Sequence, residues 1–150
     1  MPTTGTTNAT ERASTTSAGD GDDLRVRYQR VRDFTEDLAE PLSPEDQTVQ
    51  TMPDVSPTKW HRAHTTWFFE TFVLAPYRRG YAEFDPAYAF LFNSYYETVG
   101  PRHARPQRGL LSRPGVTDIG HYRGAVSVSH PFCRLLGVRA DPGCRQEGDP

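Results

Sequence analysis

The segment SPTKWHRAHTTWFFETFVLAP, residues 56–76, carries the strongest helix signal in the chain. Ser56 is a good N-cap, and Pro57 suits the first helical position, where its missing N–H costs no hydrogen bond. Apolar residues then recur every three or four positions, which predicts a helix over about 57–75 that is ended by Pro76. The stripe that this spacing places on one face comprises Trp60, Ala63, His64, Trp67, Thr71 and Leu74.

A second amphipathic helix is predicted before this segment, over about Asp23 to Glu40. Acidic residues complement its start, and Pro41 ends it. The apolar positions recur at helical spacing, so we expect them to form the buried face of this helix. They are Leu24, Tyr28, Val31, Phe34 or Thr35, and Leu38.

Two shorter helices are predicted further along the chain. Asp85 and Pro86 repeat the pattern of a cap followed by proline, so a third helix is expected from there to about Thr98. Thr117 can cap a fourth helix, whose apolar residues would be Ile119, Tyr122 and Val126. After Val126 no sustained apolar face remains, so we expect the fourth helix of a bundle to be incomplete.

These helices predict an all-α fold, an up-down four-helix bundle over residues 22–126. Residues 1–21 are mostly Thr, Ser, Ala and Gly. Such a composition cannot bury enough apolar surface to fold, so a disordered tail is predicted there. Residues 127–150 are rich in Pro and Gly and predict a second, irregular or disordered tail. Cys133 and Cys144 lie in it at a spacing that fits neither a redox nor a zinc motif, so two unpaired thiols are expected.

The charge balance and hydropathy limit the function classes. The formal net charge is −2, whereas a general nucleic-acid-binding domain is usually clearly basic. The sequence contains neither an apolar signal segment nor an apolar run long enough to cross a bilayer. We therefore expect a soluble, cytoplasmic protein with neither a nucleic acid nor a membrane as its partner.

His64 is the candidate metal ligand. It shares a helix face with Trp60 and Trp67, and bundle metal sites use side chains that project inward from facing helices. From the residues alone, a core histidine satisfied by a hydrogen bond is the commoner explanation. His61, one turn earlier, is a weaker second candidate, and Glu70 is expected to be solvated or paired.

Four arginines in the loop after the third helix form a second candidate site. They are Arg102, Arg105, Arg108 and Arg113. Guanidinium groups bind carboxylates bidentately, so this loop could hold an amino acid or a peptide. Alternatively, the arginines are solvated or form salt bridges with acidic helix faces.

Unusual residues recur in ordered blocks between Leu24 and Val126. The first block is SPTKWHRAHTTWFFETF at 56–72, and the second is FNSYY at 92–96, followed by Gly100 and RHARP at 102–106. RGLLSRP at 108–114 and YR at 122–123 continue the series. Together these blocks resemble the N-terminal domain of the EgtB-type, iron-dependent sulfoxide synthases of ergothioneine biosynthesis.

The resemblance implies a DinB-like four-helix bundle joined to a second domain. In that family three histidines hold a non-haem iron(II); one corresponds to His64, and the other two belong to an HxxxH motif on the last bundle helix. The implied reaction is oxygen-dependent C–S bond formation between hercynine and cysteine or γ-glutamylcysteine, which yields a sulfoxide. Arg105 and Arg108 fall near the family's contacts with the carboxylates of the thiol substrate.

The sequence departs from the family pattern after Val126. It contains no HxxxH pair, and nothing in it corresponds to the second domain. We therefore expect a truncated sulfoxide synthase that binds iron weakly and is inactive by itself. The alternative is a non-catalytic DinB-like helical module that binds a thiol or dimerises through an exposed apolar face.

Overall fold

The computed structural model describes residues 19–127, and every regular element in that range is helical. The α-helices are, in chain order, α1 (Gly19–Ala39), α2 (Thr58–Phe69), α3 (Ala75–Tyr77), α4 (Tyr88–Phe92) and α5 (Val116–Ser127). A π-helical turn, Glu70–Leu74, joins α2 to α3 without a break. Two 3₁₀ helices lie in the connections, at Asp46–Thr48 and Arg105–Leu110. The predicted all-α class is confirmed for this part of the chain.

Helix α2 lies at the centre of the fold and packs against α5, α4 and the first 3₁₀ helix. One stripe of α2 and the π turn supplies much of the core, as the spacing predicted. The buried apolar side chains of this core are Trp60, Ala63, Trp67, Leu74, Tyr88, Phe92, Ile119, Tyr122 and Val126. Burial of each large side chain contributes roughly 1.5–3 kcal/mol to the free energy of unfolding.

Helix α1 is attached to this core by charged groups. The Glu36 carboxylate accepts hydrogen bonds from Arg62 of α2 and from Arg123 of α5. Arg62 also donates to the Gln47 side chain at 2.8 Å, and Arg32 donates to the Arg123 carbonyl at 3.1 Å. All three guanidinium groups are buried. Glu36 therefore joins three helices at one point.

The buried face predicted for α1 was right only in part. Tyr28 is half-buried and packs edge-on against Phe69 of α2, with ring centroids 4.9 Å apart, but the other large apolar positions are exposed. Val31, Phe34 and Leu38 are exposed, whereas Arg32 and Ala39 are buried. The reason is that α1 turns Arg32 and Glu36 towards the polar groups of α2 and α5. Apolar spacing within a single helix gives no information about charges on its neighbours, so the pattern indicated the wrong side for Val31, Phe34 and Leu38.

The ends of the central helix also differ from the prediction. Ser56 does not cap α2, because its hydroxyl accepts a hydrogen bond from Arg108 at 2.8 Å and α2 begins at Thr58. Pro76 does not end the helical segment, which continues through the π turn to Tyr77. A π turn is wider than an α turn, and here it lies immediately before the short helix that contains the proline.

The third predicted helix is much shorter than expected. Helix α4 covers only Tyr88–Phe92, and the backbone becomes extended at Asn93, with φ −62° and ψ 142°. The Asn93 side chain bonds the amide and carbonyl of Tyr96 and the carbonyl of Gly100. These local bonds compete with helical ones and favour a turn. Gly100, at φ 131°, ends that turn in a conformation that favours glycine.

The last predicted helix is present as α5, with a different cap. Thr117 lies inside it, and the Asp118 side chain instead accepts a hydrogen bond from the Gly115 amide at 2.8 Å. Ile119, Tyr122 and Val126 are buried as expected. The residues predicted as tails lie almost entirely outside the described residues, as do Cys133 and Cys144. None of the helices within 19–127 combines the length and the apolar character needed to cross a bilayer.

Replacement of Glu36 by glutamine should destabilise the fold, because Arg62 and Arg123 would lose their shared counter-charge. The carboxylate is 45 % exposed, so we expect a loss of about 2 kcal/mol, below the usual cost of breaking a fully buried pair. Urea unfolding followed by far-UV circular dichroism measures this. Glu40→Gln, on the exposed end of the same region, is the control and should change stability by about 0.5 kcal/mol or less. Equal effects of the two variants would contradict the proposed attachment of α1.

Candidate functional site

The imidazole of His64 is held in one orientation by a backbone hydrogen bond. Its Nδ1 lies 2.7 Å from the carbonyl oxygen of Phe92, at the end of α4. Because a carbonyl can only accept, Nδ1 carries the proton and Nε2 of the neutral ring keeps its lone pair. Histidines that bind metals are commonly oriented by this kind of bond. The ring is therefore held with Nε2 as its acceptor atom.

Two tryptophans stack on the same imidazole ring. His64 stacks on Trp60 with ring centroids 4.8 Å apart and on Trp67 with centroids 5.7 Å apart. The Trp60 indole N–H donates to the Leu91 carbonyl at 2.9 Å, which fixes that ring against α4. Residues 60, 64 and 67 share a face because they are spaced by four and three positions. The stack of Trp60, His64 and Trp67 therefore follows from the spacing of these residues along α2.

Arg108 also packs over the ring of Trp60. Its guanidinium carbon lies 3.4 Å from the centre of the indole ring, and its side chain is buried. It donates to Ser56 at 2.8 Å and to the Asn93 carbonyl at 3.5 Å. Its buried Nε has no hydrogen-bond partner in the described part of the chain. Burial and the neighbouring Arg105 lower the pKa of Arg108 to about 10, so it stays charged at neutral pH.

Arg105 lies beside Arg108 at the start of the second 3₁₀ helix. Its guanidinium packs over the exposed Tyr95 ring, 4.8 Å from the ring centre, and makes a long hydrogen bond of 3.4 Å to the Asp54 carbonyl. Within residues 19–127, neither Arg105 nor Arg108 forms an ion pair with a carboxylate. Arg113, by contrast, approaches Asp118 at 3.6 Å. Arg105 and Arg108, the two inner arginines of this loop, thus have positive charges that an anionic group could pair with.

The histidines and the inner arginines influence one another electrostatically. Burial lowers the pKa of His64, and Arg108 lowers it further against the opposing effect of the Phe92 bond. Burial also lowers the pKa of the more exposed His61, with further contributions from His64, Arg108 and Arg105. Both imidazoles are therefore neutral at pH 7. This positive, partly desolvated surface favours an anion next to a neutral nitrogen ligand.

The loop that carries the arginines is anchored by Gln50. The Gln50 amide donates to the carbonyls of Val55 and Arg105, at 2.8 Å each, and accepts from the Gly109 amide at 2.6 Å. A Cβ atom on Gly109 would lie 2.7 Å from Gln50 Cβ, so this approach requires glycine. Gln50, Asn93 and Ser56 were not predicted to be parts of the site. Their sequence positions give no signal, because each acts through a loop distant in sequence.

The described residues contain one oriented imidazole, that of His64, and do not form a complete metal site. Within 19–127 no group of three or more His, Cys, Asp or Glu side chains is placed to hold a metal ion. His61 is the nearest further imidazole, one helical turn before His64. A three-histidine iron site would need ligands from outside this range.

A second polar cluster lies on the opposite end of the central helix, around Glu70. This carboxylate is buried and accepts hydrogen bonds from Tyr81 at 2.6 Å, from the Phe84 amide at 2.8 Å, and from Tyr122. Glu70 was expected to be either solvated or paired. It is buried, and its partners are hydrogen-bond donors. Burial and the Glu70 bond raise the pKa of both tyrosines. The cluster ties the loop after α3 to α5.

Neither the models of known protein families nor the curated proteins compared with this chain gave a match. The function is therefore proposed from the geometry of the site and from the resemblance of the sequence blocks to the EgtB-type family. The identification of His64 as a ligand and of Arg105 and Arg108 as substrate contacts stays a prediction.

The lowered pKa values of the histidines predict a pH-dependent stability. The folded state favours neutral His61 and His64, so it binds fewer protons than the unfolded state near pH 6. This stabilisation is fully present above the unfolded pKa of about 6.5 and is lost as the pH falls through the lower folded values. In chelator-treated protein, His64→Gln should reduce the fall in urea midpoint between about pH 7.5 and pH 5.5. His121→Gln, at an exposed histidine, should keep the wild-type fall in urea midpoint. An equal dependence of the urea midpoint on pH in the two variants would refute the prediction.

Removal of one donor to Glu70 should destabilise the fold measurably. Tyr122→Phe leaves a buried carboxylate short of one hydrogen bond, which we expect to cost roughly 1–3 kcal/mol. Tyr77→Phe, at an exposed tyrosine, serves as the control and should change stability by about 0.5 kcal/mol or less. Thermal or urea unfolding of the two variants measures the change in the free energy of unfolding. Similar small changes in both variants would mean that the Tyr122 hydrogen bond contributes little to stability.

Proposed function

We propose that this chain carries part of the active site of an EgtB-type sulfoxide synthase, with His64 as one iron ligand. The observation that supports this most is the hydrogen bond from His64 Nδ1 to the Phe92 carbonyl, which leaves Nε2 as the ligand atom. Arg105 and Arg108 lie near His64 and have no counter-ion among the described residues. A histidine that only filled the core would not need such neighbours. Iron bound there would supply the site for dioxygen and the thiol.

We also propose that Arg105 and Arg108 bind a carboxylate of the thiol substrate, cysteine or γ-glutamylcysteine. The support is their lack of an ion pair with a carboxylate of the described residues and the partnerless Nε atoms of both side chains. Guanidinium groups bind carboxylates through paired N–H donors, and partial burial strengthens such bonds. Hercynine would be the second substrate of the complete enzyme.

The same proposal assigns α1, α2 and α5 to a DinB-like four-helix bundle. It is supported by the packing of α5 on α2 and by Glu36, which contacts both of these helices from α1. The fourth helix and the remaining iron ligands would have to come from outside residues 19–127. Since the chemistry needs a reduced thiol, we further propose a cytoplasmic protein.

The thiol-binding proposal is tested without iron. NMR titration of the 150-residue chain with γ-glutamylcysteine should give weak, saturable shifts around residues 105–108, with a Kd on the order of 1 mM. Arg105→Gln and Arg108→Gln should weaken binding about fivefold or more, and the exposed Arg113→Gln should not. Cysteamine, which has the thiol but no carboxylate, should not bind. Equal binding of cysteamine, or equal effects of all three variants, would reject the role of the inner arginines.

Iron binding by this chain should be weak and should depend on His64. One imidazole gives too few ligands for tight binding of iron(II), so anaerobic titration should show a Kd well above about 1 µM. His64→Ala should abolish this binding, and the exposed His121→Ala should preserve it. We also expect no sulfoxide synthase activity from the chain alone. Stoichiometric, micromolar binding would mean that a complete site exists within these 150 residues.

The alternative function, a non-catalytic helical module, is supported by one specific observation. Helix α1 exposes large apolar side chains, among them Val31, Phe34 and Leu38, which an isolated enzyme fragment does not need for catalysis. A dimerising module would use such a surface, and the two functions are not exclusive.

A further inference from the structure

Helix α1 presents a narrow apolar stripe to solvent. Val31, Phe34 and Leu38 are 66 %, 62 % and 61 % exposed. At about 100° of rotation per residue, the three side chains lie within an arc of about 60°. The buried Arg32 and Ala39 lie roughly 80–100° away from Val31 on the same helix. The stripe is therefore distinct from the face that attaches α1 to the core.

The way α1 is attached explains why this stripe is left uncovered. Glu36, Arg32 and the packing of Tyr28 on Phe69 supply the contacts to α2 and α5, so Val31, Phe34 and Leu38 are not needed for docking. Three adjacent large apolar groups on one exposed helix face are more than scattered surface residues, and such patches usually mark an interface.

The charged residues beside the stripe indicate which partner fits it. Arg30 and Asp37 are both exposed, lie about 20° apart around the helix axis, and border the side of the stripe away from the core. They are seven residues apart, with Phe34 about midway between them. A second α1 helix running in the opposite direction would therefore place each Arg30 opposite an Asp37.

We propose that this face binds a second copy of the chain through antiparallel pairing of the two α1 helices. The two-fold axis passes near Phe34, so that Phe34 meets its own copy and Val31 packs against the partner's Leu38. Arg30 forms an ion pair with the partner's Asp37, and the symmetry repeats both contacts. In a parallel arrangement this edge of the two helices would lie on opposite sides of the interface, so only the antiparallel arrangement brings Arg30 to the partner's Asp37.

The proposal is tested first by the oligomeric state of the full chain. Sedimentation velocity should show a monomer–dimer equilibrium at protein concentrations up to about 100 µM. Leu38→Glu removes two symmetric apolar contacts and should weaken the dimer on the order of a hundredfold. Leu110→Glu, at an 80 % exposed leucine away from α1, is the matched control and should leave the dimer unchanged. Far-UV circular dichroism verifies that both variants are folded.

Charge reversal tests the antiparallel direction. Arg30→Asp and Asp37→Arg should each weaken the dimer about tenfold, because both pairs then oppose like charges. A mixture of the two variants should restore association, since the aspartate introduced in one chain then faces the arginine introduced in the other. A parallel dimer would respond in neither way.

Several outcomes would overturn the proposal. They are a wild-type chain that remains monomeric at the highest concentration, a dimer that Leu38→Glu leaves intact, and a dimer that Leu110→Glu weakens equally. Charge-reversal variants that do not complement each other in the mixture would exclude the antiparallel arrangement. The test does not involve iron or thiols, so its result is independent of the proposed function.

Discussion

The stack of Arg108, Trp60, His64 and Trp67 is the constraint on which the rest of the candidate site depends. Three of its members lie on one face of α2, and the fourth comes from a loop that follows much later in the chain. A desolvated cation over an indole ring contributes about 1–2 kcal/mol. Because Trp60 and Trp67 also belong to the core, the hydrophobic burial that forms the fold positions His64 at the same time.

The attachment of α1 follows a different physical rule. Burying three guanidinium groups, of which only Arg62 and Arg123 share a carboxylate, is unfavourable unless each finds further acceptors. The fold supplies these acceptors as backbone carbonyls and the Gln47 amide oxygen. Such directional bonds specify one orientation of the helix. They also leave Val31, Phe34 and Leu38 exposed, and this surface is the basis of the proposed dimer.

Residues with regular apolar spacing were the ones that the sequence could predict. The stripe of α2 and the apolar positions of α5 are buried as expected, since hydrophobic burial follows helical periodicity. The face of α1, the early end of α4 and the role of Ser56 could not be predicted. Each of these is decided by a polar group that bonds a distant or competing partner, namely Glu36, Asn93 and Arg108. Likewise, the two inner arginines could be recognised as a cluster, but their stacking on Trp60 and Tyr95 depends on a loop path that Gln50 fixes.

The π turn at Glu70–Leu74 has a consequence for the length of the central segment. Each residue of an α-helix adds a rotation of about 100°. A π turn is closed by i→i+5 hydrogen bonds, so it fits one more residue into a turn without adding that rotation to the chain that follows. The widened turn thus absorbs an additional residue and keeps the two halves of the molecule in phase.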